Sequence, residues 1–319
     1  MARVLEYRYG SPAASSLDYT AALPVSLLFW PMKDSSKSIV YALLACAVWG
    51  TVYVAVKIGL NAGLKPLTFA GVRFCAGGAV LLVIAAFMGR LKFTFRDLWV
   101  IALFGIFQTG VQNALFFTGE EYTNASVSAI FINTAPFFVI LAAPLFFNAS
   151  RITIPRIAGV IIGFGGVLAA SWKYETLHGR YGLGVLLLIL SAVTWAGANI
   201  AAKKIMAGRD TLTVTGMQMV MGGAPLIALG FRFEGKFMAG VQPFGWAALG
   251  YLVVFATMIP FLAWYKALKL GEVGRVSVFG FTLPVLGVLT GWLVLGEPVS
   301  ARIIVGMAMV AFGIITVNI

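Results

Sequence analysis

Runs of about twenty apolar residues alternate with short polar breaks along nearly all of this chain. A helix needs about 20 predominantly apolar residues, within a range of about 17–25, to cross a bilayer. The pattern predicts ten such helices, at 39–60, 66–88, 98–118, 125–147, 154–172, 181–202, 211–231, 243–265, 273–295 and 301–317. Charge, Gly, Pro or a polar cluster bounds each of them. Residues 1–38 stand apart as a polar, mixed segment, read as an N-terminal cytoplasmic tail. Its apolar patch at 21–32 is too short to span, and it lacks the Arg/Lys-led run and cleavage site of a secretory signal. Met32, followed by KDSSKS, supports a second reading, in which residues 1–31 are an extension without a role in the fold.

Composition agrees with a lipid environment. Hydrophobic residues make up 61% of the chain and charged residues 11%, against roughly half and about a quarter in soluble domains. The net charge of +12 is spread in short clusters between the apolar runs. It therefore reads as topology, and no basic stripe interleaved with aromatics points to nucleic acid. With the N-terminus inside, fifteen Lys and Arg fall on inner segments and seven on outer ones. That bias predicts a multi-pass protein of the plasma membrane with both termini cytoplasmic.

The chain also repeats itself. WGTVYVAVK (49–57) and WAGANIAAK (195–203) share a Trp-to-Lys gap at an offset of 146. GVRFCAGG (71–78) returns as GMQMVMGG (216–223), and TAPFFVIL (134–141) as TLPVLGVL (282–289). Gly159 and Gly166 match Gly306 and Gly313. Two units of five spans follow, 39–172 and 181–317. Because five is odd, the units enter the membrane from opposite sides. The expected fold is thus an all-α integral membrane protein of ten transmembrane helices in two inverted five-helix repeats.

AVWGTVYVAVK, PLTFAGVRF, the paired Pro136 and Pro284, and LVLGEPVS (293–300) together resemble the drug/metabolite transporter superfamily, in its ten-helix EamA-type branch. The resemblance covers most of 37–317 and implies two EamA modules in a plasma membrane. It further implies transport of small metabolites, with export of amino acids or related carboxylate-bearing compounds by alternating access as the expected activity. A sugar-phosphate or nucleotide-sugar exchanger and an uncoupled channel are the alternatives. The first half has LFFNASRIT (145–153) where the LGE pattern is expected, which leaves Glu297 without an evident counterpart.

Polar residues inside the spans are the candidate cargo site, because such groups are costly in hydrocarbon and face an interior or a cavity. Tyr53, Arg73, Gln112, Asn113 and Asn133 fall at one depth, with Arg73 roughly 10 Å below its helix start. Gln108 extends that face toward the midplane, and Trp49 lies one turn from Tyr53 on the same helical face. Asn199, Gln218 and Thr282 form the corresponding layer of the second half. For any single amide, interhelical hydrogen bonding is the competing reading. Arg73 can grip a carboxylate through two parallel bonds, or it can bond helix-end carbonyls or Glu120. Lys57 is read as reaching the headgroups.

No catalytic, metal or cofactor site is expected. Cys46 and Cys75 lie in apolar runs, and His178, the single histidine, is in a loop. Intramembrane enzymes need buried Asp, His or carboxylate clusters, and all eleven acidic residues fall in the tail, in loops or at helix ends. The same distribution argues against a midplane proton relay, so facilitated movement or exchange is expected, with Glu120 and Glu121 as the remaining candidates for coupling. The expected partners are the lipid bilayer and a small molecule. Oligomeric state is not set by the sequence.

Overall fold

A computed structural model describes residues 33–146, 153–171, 179–235 and 239–317, and among them every regular element is helical. We number the helical stretches α1 (Asp34–Asn61), α2 (Pro66–Phe87), α3 (Phe95–Glu121), α4 (Ala125–Ile132 with Ala135–Phe146) and α5 (Ile154–Ser171). There follow α6 (Gly179–Met206), α7 (Thr211–Phe233), α8 (Pro243–Leu270), α9 (Val273–Leu295) and α10 (Ala301–Val317). Eight of these, all but α5 and α10, are long and apolar enough to cross a membrane. The apolar stretches of α5 and α10 are shorter, at Ile157–Gly166 and Ala301–Gly313.

Local chemistry sets the ends. Pro66 and Pro243 start α2 and α8, where the missing N–H would be unsatisfied in any case. Thr94 and Asp97 form a reciprocal capping box that starts α3 at Phe95, ahead of the apolar run. Asn124 and Asp210 cap α4 and α7. Lys203 and Lys204 lie within the last turn of α6, where cations favour the C-terminal dipole, so the helix outruns the apolar pattern. α1 begins at Asp34, which makes residues 34–38 helix and not tail; the Ser38 hydroxyl is buried against the Ala267 carbonyl at 2.9 Å. The expected extension at 1–31, His178 and residues 147–152 of LFFNASRIT lie outside the described residues.

The principal packing pairs are α2 with α7, α5 with α10, α1 with α8, and α3 with α6. α2 and α7 run antiparallel with glycines at the seam. A Cβ on Gly78 would lie 2.8 Å from the Gly216 carbonyl, and one on Gly71 would lie 3.0 Å from the Gly223 carbonyl. Only a residue without a side chain permits that approach, which replaces the hydrophobic drive that lipid cannot supply. Gly313 of α10 is likewise seated on Gly163 of α5.

Two helices are interrupted next to a proline. α4 breaks at Asn133 and Thr134, two residues before Pro136, and α9 passes through a 3-10 turn at Phe279–Phe281 before Pro284. The breaks carry the same device. The Thr134 hydroxyl donates to the Phe131 carbonyl and the Thr282 hydroxyl to the Phe279 carbonyl, both at 2.8 Å. Each threonine bonds the carbonyl three residues before it, at the turn where its helix is interrupted.

Candidate functional site

Aromatic rings and amides enclose a cavity of about 80 Å³ between α1, α2, α3, α4, α6, α8 and α9. That is room for several waters. Trp49 is its hub. Its ring meets Trp195 edge-on at 5.3 Å, Phe261 at 5.2 Å and Trp264 at 5.5 Å. The Trp195 and Phe261 contacts are edge-to-face, which sets a positive ring edge against a negative face, and the Trp264 ring packs tilted at 56°.

Amides form the polar part of the wall. The Asn133 amide donates to the Tyr53 hydroxyl at 2.7 Å and to the Ala129 carbonyl at 2.6 Å, which stitches the α4 break to α1. Asn199 accepts the Trp264 indole N–H at 2.8 Å. Gln112 donates to Ser191 of α6 at 3.0 Å, and Asn113 bonds back to the Gln108 carbonyl at 3.4 Å. Asn133, Asn199 and Gln112 therefore join helices and line the cavity at once.

Arg73 is 2% exposed and lines the same cavity. Its Nε donates to the Thr257 hydroxyl at 2.7 Å and its Nη2 to the Ala256 carbonyl at 2.9 Å. Ala256 lies in the turn before Pro260, whose ring offers no N–H to the helical ladder. Val254–Met258 is a π-helical turn, and so is Ile106–Val111 in α3, at an offset of 148. Such single-turn bulges loosen the helical ladder and recur at functional sites. The α3 turn carries the corresponding bond, in which Thr109 donates to the Gln218 Oε1 at 2.6 Å. The polarity reverses because of the partners. Arginine has only donors, so Thr257 accepts from it and sends its own proton to the Leu252 carbonyl at 2.7 Å.

Of the residues expected from the sequence, Trp49, Tyr53, Arg73, Gln112, Asn113, Asn133 and Asn199 meet in this one cavity. Gln108 and Gln218 are buried outside its lining, each with an unpartnered Nε2. Thr282 is exposed and engaged in the α9 break. The sequence reading missed Phe74, Phe116, Phe261 and Trp264. The repeat carried a signal for two of these, since offsets of 148 relate Phe261 to Asn113 and Trp264 to Phe116.

Lys57 does not reach outward. Its ammonium donates to the carbonyls of Glu120 at 3.0 Å and Thr123, closing the C-terminus of α3. Lys203 does the same for α8, donating to the carbonyls of Leu268 at 3.3 Å and Gly271. Glu297 binds the backbone N–H groups of Ala125 and Ser126, both at 2.9 Å, at the start of α4. This is an anionic cap on a helix N-terminus.

Long apolar helices around a buried, amide-studded aromatic cavity define a multi-pass membrane protein with an internal chamber. The chain matches the EamA-like transporter family twice, over 36–172 and 182–319, and belongs to that family. It is a membrane transporter. Similar proteins include an uncharacterized transporter of Archaeoglobus fulgidus, 29% identical over 85% of this chain and 95% of its own. Another is the uncharacterized transporter YvbV of Bacillus subtilis, 28% identical over 90% of this chain and 94% of its own. The uncharacterized inner membrane transporter YedA of Escherichia coli is 26% identical over 85% of this chain and 87% of its own. A solved crystal structure, 20% identical, shares the fold with a TM-score of 0.71 over 88% of this chain and 96% of its own.

Proposed function

We propose that this protein carries small amphipathic, carboxylate-bearing metabolites, amino acids among them, across the plasma membrane by alternating access. Two inverted five-helix repeats, 39–172 and 181–317, would exchange conformations around the Trp49 cavity. The antiparallel seating of Gly71 and Gly78 on Gly223 and Gly216 supports that relation, as do the paired π-turns and the paired lysine caps.

One observation carries the cargo class. Arg73 is the sole Lys or Arg among the cavity-lining residues, in a wall otherwise of rings, aliphatics, amides and the Ser277 hydroxyl. That combination suits one anionic group on an apolar body. A sugar phosphate or nucleotide sugar carries more charge than one guanidinium balances. Both termini are placed in the cytoplasm and the Lys57 end outside, by the Lys/Arg bias. Export is the direction the resemblance implies. At about 80 Å³ the cavity is contracted, so loading requires the rings around Trp49 to part.

The test is counterflow in proteoliposomes with a panel of amino acids, organic acids and sugar phosphates. Trans-acceleration by an amino or organic acid, lost in Arg73→Gln, is the expected result. Linear flux without trans-acceleration would establish a channel, and a preference for sugar phosphates would overturn the cargo class.

A further inference from the structure

Glu120 is the group that the proposed cavity leaves unused. It is fully buried in the last turn of α3, and neither carboxylate oxygen has a hydrogen-bond partner. Its counterpart at an offset of 148 is Leu268, also fully buried. A carboxyl group thus occupies a place that the fold fills with hydrocarbon in its other half. Glu121, the next residue, is exposed.

The charged and titratable groups around Glu120 are engaged elsewhere. Lys57 of α1 directs its ammonium to the backbone carbonyls of Glu120, Glu121 and Thr123, which can occupy all three of its N–H donors. Arg73 of α2 is held by Thr257 and Ala256. Tyr53 of α1 receives the Asn133 amide. Glu297, after α9, binds Ala125 and Ser126 and adds like charge, while the Lys57 and Arg73 charges favour the carboxylate and burial outweighs them. A buried, unbonded carboxylate is far costlier than the neutral acid, so this conformation favours the carboxylic acid.

Position links the group to the cavity. Glu120 lies one turn beyond Phe116, and Lys57 lies one turn beyond Tyr53. The Tyr53 and Phe116 rings meet edge-on at 5.9 Å and both line the cavity. The Glu120–Lys57 layer therefore stands behind the cavity wall, among the contacts that close the Lys57 end.

We propose that Glu120 is a proton-binding site coupled to opening of that end. The carboxyl holds its proton while the Lys57 end is closed. When the end opens, water reaches the group, the O–H proton passes to water, and the released Lys57 ammonium pairs with the carboxylate. Closing takes a proton back from water. The proposal rests on the alternating-access reading and makes opening of the Lys57 end depend on pH.

The experiment uses the full-length protein in lipid nanodiscs. Infrared spectra at neutral pH are expected to show a protonated-carboxyl band that is lost in Glu120→Gln and in Glu120→Leu. The leucine variant copies the packing at Leu268, so it keeps the test readable where the glutamine variant fails to fold. Pulsed-EPR distances between spin labels at Asn61 and Ser300, both exposed at the Lys57 end, are expected to lengthen from pH 6 to pH 9. In Glu120→Leu that pH response is lost. Absence of a Glu120-dependent band would overturn the proton site, and an unchanged pH response in Glu120→Leu would overturn the coupling. Counterflow of the Arg73 variant is a separate measurement, and its failure would remove the cavity reading while leaving the Glu120 band in place.

Discussion

The guanidinium of Arg73 donates through Nε to the Thr257 hydroxyl at 2.7 Å, across the contact between α2 and a π-turn of α8. Its counterpart, Thr109 to Gln218 at 2.6 Å, joins α7 to the π-turn of α3 with donor and acceptor exchanged. Arg73→Gln imports the second half's own solution, so it should fold and remain monodisperse while losing transport of anionic cargo. Arg73→Ala leaves the Thr257 and Ala256 acceptors unpaired, and each buried unmet group costs about 1–3 kcal/mol. Its thermal midpoint should fall below that of the glutamine variant by fluorescence-detected melting.

Trp49 touches three other aromatic rings. Truncating it to alanine removes all three contacts, and losses of about 3–5 kcal/mol are typical for a buried aromatic in a core. Trp195→Phe keeps an edge for Trp49 and should retain near-normal stability. Trp195→Ala should shift cargo preference in counterflow toward bulkier substrates. An unchanged preference would detach Trp195 from the cargo path.

Lys57 and Lys203 close opposite ends of the molecule. Each is a charge-assisted cap, worth about 1.5–3 kcal/mol, and under the proposed alternating access each would hold its own end shut. Lys57→Met should raise thiol-reagent access to cysteines introduced at the Lys57 end. Lys203→Met should raise access at the other end. Equal effects of the two variants at both ends would show the caps to be purely structural.

Gly78 admits no side chain. A Cβ there would stand 2.8 Å from the Gly216 carbonyl and 2.8 Å from the Met219 Cβ. Gly78→Val should separate α2 from α7 and reduce the yield of folded protein in detergent, an overpacking cost of about 1–3 kcal/mol or more. Gly250→Val, at an exposed helical glycine with open space around it, serves as the control for handling losses.

Thr282→Val tests the reading of the α9 break. It removes the bond to the Phe279 carbonyl, so the melting point should drop by roughly 1 kcal/mol of stability. Cargo affinity, measured by tryptophan quenching, should stay unchanged. A raised dissociation constant with unchanged stability would return Thr282 to the site.

The spans were legible because a bilayer demands long apolar runs, and the repeat was legible through Trp49 and Trp195, whose shared spacing put them on one footing before either had a location. The rest of the site was hidden for physical reasons. Phe261 and Trp264 sit in an apolar run where a ring against lipid and a ring against a cavity look alike. The π-turns leave no mark in composition. Lys57 near a helix end has headgroups as its default partner, and only the approach of the α3 terminus supplies a better one. Glu120 was read by its place at a helix end, whereas its burial depends on what packs over it. Thr282 was placed by register with the first half, and it is Thr134, equally engaged in its own break, that occupies the matching position.

Pro260 has no equivalent in α3, where Gln112 stands at the matching position. The turn before it offers Arg73 the Ala256 carbonyl, in one half of the molecule only. Two perfectly matched halves would leave the empty carrier indifferent between facing in and facing out. In the proposed alternating access, a single ring residue would remove that degeneracy and give the unloaded protein a resting orientation, without altering the gradient against which its cargo finally equilibrates.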